Sequence, residues 1–512
     1  MQTLKELALL LARHRNRTKN HRNPKNEEML DTFHGLIASG QLETNEEAAE
    51  YLFHAPSFNG AYRKLKEKMK QRLLDSVLLL DLHSTKNSPY DKAYIVCWKD
   101  WATAKILFNQ RAVHTASGMA HRLLKDALYF EFSELSVSIA RVVRAMYATR
   151  LPDLKKFERY HQLAEELSEQ YSAETSAEGM YYMLVSYYIE SKAGNPIVAE
   201  KATEYCQLLA PRIGKKSPFR LLKLYHQIRV ISVFCNGDYE KTIAFCEEAL
   251  SELAEKTFYT PDMGDFFYFH KIACYTQLNQ YAKGCTLAEQ MLSYEERGSF
   301  NWFKNRELLF RLALYATNYQ EAYTVYRQVF EESSFRYLDA YSKELWKINE
   351  AFMVFLFEAG LFSPSDPSSL MSYRISKFLN EVPIFSNDKR GMNIPILIVH
   401  ILFALARKRY DLASSRITAI DKYASRYVLK DEMERSNLFI RMLSSVDRSG
   451  YYRQGVIRKS KSWYDKLLQT TSSSPKYHIE VLPYERLWEI TLGLLEPVPV
   501  PAKGKSLKKR QE

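Results

Sequence analysis

Thiols, imidazoles and glycine-rich turns are the parts of a chain that most often carry chemistry. The six cysteines are Cys97, Cys206, Cys235, Cys246, Cys274 and Cys285, with no Cys-x-x-Cys pair among them. Each falls in a stretch of helical periodicity, where a free thiol behaves as a small buried hydrophobe. Cys235/Cys246 and Cys274/Cys285 are each eleven residues apart and offset by 39. The repeat described below has a local period of 42, so the two pairs occupy different places on it and do not make a metal site. The twelve histidines are scattered; His114 and His121, seven apart on a helical stretch, could share a face. Gly504-Lys505-Ser506 ends like a phosphate loop, but the glycine needed upstream is Pro499; Gly214-Lys215-Lys216-Ser217 fails in the same way at Leu209. His-Glu-x-x-His, Gly-x-Ser-x-Gly and Gly-x-Gly-x-x-Gly are absent. The expectation is a non-enzymatic chain with no catalytic residue, no metal and no cofactor.

Binding chemistry is better represented. Phe266-Phe267-Tyr268-Phe269-His270, followed by Tyr275, is the densest aromatic cluster. Successive residues on a helix turn by about 100°, so these rings cover nearly the whole circumference and one hairpin interface cannot bury them all. Either neighbouring helices bury the rest, or some of Phe266, Phe267, Phe269 and Tyr275 anchor a partner side chain. Tyr181-Tyr182, Tyr187-Tyr188 and Tyr451-Tyr452 pose the same question. A second candidate is a basic amphipathic helix from Ala61 to about Leu82. Its apolar stripe is Tyr62, Leu65, Met69, Leu73 and Val77. Arg63, Lys66 and Lys70 flank the stripe on one side, and Lys64, Lys68 and Arg72 on the other. Thr44 can cap a short helix before it, and Ala55–Gly60 makes the turn between them. Short helix, turn and basic helix in that order look loosely like a helix-turn-helix DNA reader. A groove-reading helix more often gathers its cations on one outer face.

The elements that must position these residues are helices. Gly and Pro are each only 17 of 512 residues, well below the usual ~7% and ~5%. That excludes collagen-like, low-complexity and turn-rich all-β chains. Leu221, Leu224, Tyr225, Ile228, Ile231 and Cys235 recur mostly at spacings of three and four. Leu151-Pro152-Asp153, Asn195-Pro196 and Thr260-Pro261-Asp262 read as helix starts, and Asn236-Gly237-Asp238 closes one helix and opens the next. Helices of about 14 to 22 residues joined by short links should pack antiparallel.

Four of these links repeat a pattern. Polar turns end at Tyr239, Tyr281, Tyr319 and Tyr410. A small residue follows three positions later (Thr242, Gly284, Ala322, Ala413), and an apolar one ten positions after the Tyr (Ala249, Met291, Val329, Ile420). The Tyr should plug the junction, and the small side chain should let the second helix approach the first. From Asp91 to Tyr427 the chain resembles the tetratricopeptide repeat (TPR) family of helix-turn-helix solenoids. The family's small residue early in the first helix is replaced here by Val230, Ile272, Phe310 and Ile401, and the units exceed its 34 residues. The resemblance implies an all-α antiparallel helix-hairpin superhelix, an α-solenoid whose inner surface binds a peptide, a helix or another macromolecule, and no reaction.

The ends differ from the middle. Met1–Asn26 carries seven Lys/Arg and one Glu, Glu27–Phe58 seven acidic residues and no Lys or Arg, and Asn59–Leu74 six basic residues and one Glu. This alternation marks a small helical N-terminal module at 1–84. The repeats then occupy 85–447, a basic helical cap 448–496 and a Pro/Lys-rich tail 497–512, expected to be extended and disordered. No export signal is visible at the start, so a cytoplasmic location with reduced thiols is expected. The uncharged run Gly391–Ala406 is sixteen residues long, short of the ~20 that a membrane span needs; a buried helix, and no membrane partner, is the reading. The net charge of +12 is compatible with an acidic partner and does not demand one. Together these features favour a protein-interaction scaffold that binds a protein or peptide through its groove. The rival is a nucleic-acid-binding regulator that uses Arg63, Lys64, Lys66 and Lys70, with the repeats as sensor.

Overall fold

A computed structural model of the chain describes residues 1, 3–4, 7–8, 24–42, 44–78, 88–190, 195–214, 216–374, 378, 393–427, 434–470 and 480–497. Among them every element is helical, and the sole extended pairing is an isolated bridge between Tyr452 and Glu496. The chain forms two compact units, Met1–Ala164 and Glu165–Glu512. The sequence boundaries at 84/85 and 447/448 fall inside these units, and beyond Pro497 the 497–512 tail lies outside the described residues.

The first unit opens with α1 (Pro24–Ala38), α2 (Asn45–Phe53) and α3 (Gly60–Leu78). Thr44 caps α2 through a reciprocal box: Glu47 N donates to Thr44 Oγ1 at 3.1 Å, and Thr44 N to Glu47 Oε2 at 3.1 Å. Asn59 caps α3 by accepting from Ala61 N at 2.8 Å. Leu30, Phe33, Ile37, Ala48, Ala49, Tyr62, Met69 and Leu73 share one core. Of the expected stripe, Leu65 and Val77 are only half-buried. Three further helices follow, α4 (Pro89–Asn109), α5 (Val113–Tyr129) and α6 (Ser133–Thr149). Each packs on the next.

A single helix, α7 (Leu154–Glu190), runs for 37 residues, well beyond the lengths read from sequence. Asp153 starts it, accepting from Lys156 N at 3.0 Å. No proline follows until Pro196, and the single Gly179, which costs a helix about 1 kcal/mol, does not interrupt it.

The second unit continues with α8 (Asn195–Leu209), α9 (Phe219–Phe234), α10 (Tyr239–Ala254), α11 (Asp265–Gln277), α12 (Tyr281–Tyr294), α13 (Phe300–Tyr315) and α14 (Tyr319–Phe330). Thr260-Pro261-Asp262 begins a short 3-10 turn, Pro261–Gly264, and α11 starts only after it. Then come α15 (Ala340–Glu358), the single turn α16 (Ser368–Met371), α17 (Asn393–Ala406), α18 (Tyr410–Tyr427), α19 (Glu434–Arg448), α20 (Arg453–Gln469) and α21 (Tyr484–Leu494). From α8 to α14, and from α17 to α20, each helix packs on its successor. The apolar α17 is buried from Asn393 to Leu405, and among the described residues no helix is long and apolar enough to cross a membrane.

All four repeat tyrosines occupy the first position of a helix, in α10, α12, α14 and α18. The small and apolar positions that follow them are buried without exception. The joints share one backbone geometry. The residue two before the tyrosine is left-handed: Gly237, Asn279, Thr317 and Lys408, with φ between 53° and 74°. The next N–H donates to the carbonyl five residues back, as in Gln280→Tyr275 and Asn318→Ala313, both at 2.8 Å. This is a Schellman closure, and it turns the chain back within two residues. Arg111 and Glu131 close α4 and α5 in the same way. Those joints lack the tyrosine, so the sequence pattern passed over them.

Two packing details differ from expectation. Gly284 does admit a neighbour closely, but that neighbour is Leu312 on α13: a Cβ there would lie 2.6 Å from Leu312 Cδ2. The small residue makes room for the following hairpin, not for its own partner helix. Likewise only Tyr319 is buried, and the other three tyrosines are half-buried. Two of their hydroxyls reach beyond their own joint. Tyr281 accepts from Asn318 of the next joint at 3.2 Å, and Tyr410 donates to Glu496 at 2.7 Å.

The C-terminal segment explains the second of these contacts. Tyr315 donates to the Glu480 carbonyl at 3.2 Å, Arg486 Nε donates to Tyr319 Oη at 3.3 Å, and Lys408 donates to the Leu494 carbonyl at 2.6 Å. Val481, Leu482, Tyr484, Leu487 and Trp488 are buried in the same core as α13–α19. Residues 480–497 are therefore woven into the repeats.

Candidate functional site

The aromatic run on α11 is divided by the helix itself. Phe267 has 0% of its surface exposed and Tyr275 is also buried. Neither can present area to a partner, which corrects their reading as anchors. At 100° per residue, one ring of the run had to face the core, and Phe267 is that ring. Phe266 and Phe269 remain half-buried. Phe269 packs against the main core. Phe266 points elsewhere: its ring centroid lies 6.3 Å from Tyr181 on α7 and 4.1 Å from His270. His270 Nδ1 is 2.7 Å from the Phe266 carbonyl. Burial among rings holds the His270 pKa down to about 4, so the imidazole is neutral near pH 7.

Phe266 thus leads onto the tyrosine doublets of α7. Ala177 and Leu184 face inward against Val198, Ala199 and Ala202 of α8. Adjacent residues on a helix cannot both follow that face, so each doublet splits. Tyr181 and Tyr188 turn toward the core and are half-buried. Tyr182 and Tyr187 turn out, 58% and 39% exposed, with Met183 between them at 49%. Lys201 of α8 stands 5.2 Å over the Tyr187 ring. Ile197 and Leu208 extend the apolar surface along α8. The strip from Phe266 through Tyr181 and Tyr182 to Met183 and Tyr187 is the candidate site. Rigid rings, few rotamers and exposed apolar area are what a protein-binding surface uses. The doublets were the signal in the sequence; which ring of each faces out was decided by the packing of α8.

Groups that could react are arranged otherwise. Burial pushes the thiols of Cys97 and Cys206 up to about 11, and those of Cys235 and Cys246 up to about 12. They are protonated and inert at neutral pH. Among the described residues no group of three or more His, Cys, Asp or Glu could hold a metal. Gly214 and Ser217 close a tight turn, Gly214 N donating to Ser217 Oγ at 2.9 Å; Lys215 lies outside the described residues. The turn borders an open groove of about 820 Å³ along α7, with Glu165, Glu169, Arg212 and Lys216 beside Ile213, Pro218 and Leu221 on its walls. His121 is spent on structure, with Nε2 3.1 Å from Tyr147 Oη, while His114 is exposed.

The basic candidates sit on α3. Arg63, Lys64, Lys68 and Lys70 are exposed and Lys66 is half-buried. Arg72 is set apart from them by a 2.8 Å ion pair with Asp31. Much of the Arg448–Lys476 stretch forms α20, in the other unit, and 471–479 lies outside the described residues.

Comparison of the chain with protein-family models, with curated proteins and with solved structures gives no match.

Proposed function

We propose that this protein is a non-enzymatic interaction scaffold, a TPR-like α-solenoid that binds a protein partner through the aromatic strip on α7 and α11. The observation that carries the reading is the outward row Tyr182, Met183 and Tyr187, large apolar side chains left exposed on a helix whose opposite face is packed. Three further features support it. Neighbour-to-neighbour packing and repeated Schellman joints are the construction of a hairpin solenoid. The tyrosines at the joints keep the register of the repeats. The thiols and buried imidazoles are held in unreactive protonation states.

The partner surface would be apolar, and the ring faces of Tyr182 and Tyr187 would supply most of the affinity, about 2 kcal/mol or more for each anchor. The test is recovery of partners from native cells by wild type and by Tyr182→Ala/Met183→Ala/Tyr187→Ala. Loss of the partner at an unchanged melting temperature is the expected outcome. Equal recovery by the variant would reject the strip. Phe267→Ala is not a binding variant: it opens a core cavity and should destabilise the fold by about 3–5 kcal/mol.

A further inference from the structure

The cations of α3 have an arrangement that the fold does not use. Tyr62, Met69 and Leu73 define its buried line. Arg63, Lys64, Lys68 and Lys70 stand on the remaining surface. Among the described residues none of them, nor Lys66, is in an ion pair. Of the nearby acids three are engaged elsewhere, while Glu50 is exposed and Glu46, also exposed on α2, acts on Tyr62. Asp31 holds Arg72, Glu47 closes the α2 cap, Glu50 lies 4.0 Å from His54, and Asp75 accepts from Gln71. Glu67 is the one acid exposed between the cations on α3 itself. Four lysines and arginines exposed within eight residues, without partners, repel one another and add nothing to the packing of the module. Such a face gains free energy only when an anion approaches it.

We infer that the outer face of α3 docks on the phosphate backbone of duplex nucleic acid. Three points favour a duplex over another polyanion. The cations span about 10 Å along the axis and stand on a convex surface rather than in a pocket, which suits a row of phosphates better than a single anion. A helix with its side chains is about 10–12 Å across, and a B-form major groove is about 12 Å wide. Asn59 and the turn before it place the start of the helix at the surface, with Phe58 exposed beside it. Because the cations lie on either side of Glu67, the contacts are to backbone and not to one base, and recognition is insensitive to sequence. This inference stands apart from the aromatic strip, which lies on other helices.

The test is fluorescence anisotropy of the full-length chain with a mixed-sequence duplex of about 25 base pairs, at about 50 and about 200 mM salt. Four neutralised phosphates predict a loss of affinity of roughly 100-fold between the two conditions. Arg63→Glu/Lys64→Glu/Lys68→Glu/Lys70→Glu should abolish binding at the higher salt and flatten the slope of log affinity against log salt by about three to four. Arg458→Glu/Lys461→Glu on α20 should leave both unchanged. Should the four-fold reversal fail to fold, Lys64→Gln/Lys68→Gln is expected to flatten the slope by about two. Absence of binding at the lower salt overturns the inference, as does binding that the α3 changes do not weaken. Sedimentation with phosphatidylserine vesicles but no retention of the duplex would also overturn it, and would assign the face to membranes.

Discussion

His400 lies on α17, the most apolar of the described helices, and among the described residues neither of its ring nitrogens has a hydrogen-bond partner. Burial, with a smaller contribution from Arg416, holds its pKa down to about 4, against an ordinary value of 6.5. The unfolded chain therefore takes up a proton that the folded chain refuses. Stability is complete above about pH 6.5 and is lost as pH falls toward 4. His270 acts in the same direction. The difference in melting temperature between about pH 7 and about pH 4.5 should shrink in His400→Leu. An unchanged difference would place the acid sensitivity elsewhere. Arg435 is the opposite case, a half-buried charge with every donor used. It pairs with Glu480 at 2.7 Å and Glu485 at 2.8 Å, and also donates to the carbonyls of Leu467 and Thr470. Burial alone would lower its pKa, but the two carboxylates outweigh burial and raise it. Arg435→Ala would strand both carboxylates and should cost about 3–5 kcal/mol in equilibrium unfolding. Arg435→Lys should recover little of that loss, because an ammonium cannot reproduce the fork.

The joints set the terms at the scale of elements. Left-handed backbone is cheap for glycine, yet Arg111, Glu131, Asn279, Thr317 and Lys408 adopt it. Thr317 is the most strained of these, since a β-branched side chain crowds the following carbonyl at φ 58°. Thr317→Gly should stabilise the protein by about 1 kcal/mol, read as a higher melting temperature. A lower one would mean that the threonine side chain does something the backbone argument omits. Five positions along, Ala322 is buried on α14. Ala322→Leu should overpack that junction at a cost of about 1–3 kcal/mol. A pair of variants with opposite signs within one joint separates backbone strain from side-chain crowding.

At the scale of the molecule, the second unit is held together by its own last residues. Five large side chains between Val481 and Trp488 are buried, each worth about 1.5–3 kcal/mol on burial. The same segment supplies both carboxylates to Arg435. A chain ending at residue 479 should therefore melt roughly 10 °C or more below the full chain. Melting at the wild-type temperature would show that the repeats are complete without it. This segment also covers the tyrosines at Tyr319 and Tyr410, which leaves the α7 strip as the free aromatic surface of the candidate site.

Local periodicity and turn chemistry were enough to read the helices, the register of the four tyrosine joints and the buried positions three and ten residues after each tyrosine. These depend on spacing along one helix and on the few residues around a turn, and both are written in consecutive letters. The length of α7 was missed because a helix without punctuation looks, letter by letter, like two shorter ones. The candidate site was half legible. The doublets at Tyr181 and Tyr187 and the run at Phe266 stood out as aromatic excess, but their sides were not assigned. Phe267 is core and Tyr182 is surface because of where α8 and the neighbouring helices pack, and burial is a property of neighbours distant in sequence. The same holds for residues 480–496, the end of the stretch 448–496 read as a basic cap, whose large side chains pack into the core of α13–α19. The ordering free energy of that segment is recovered from side chains such as Arg435, 45 residues before Glu480, and Tyr319, 167 residues before Arg486, so no window of the chain could have shown it.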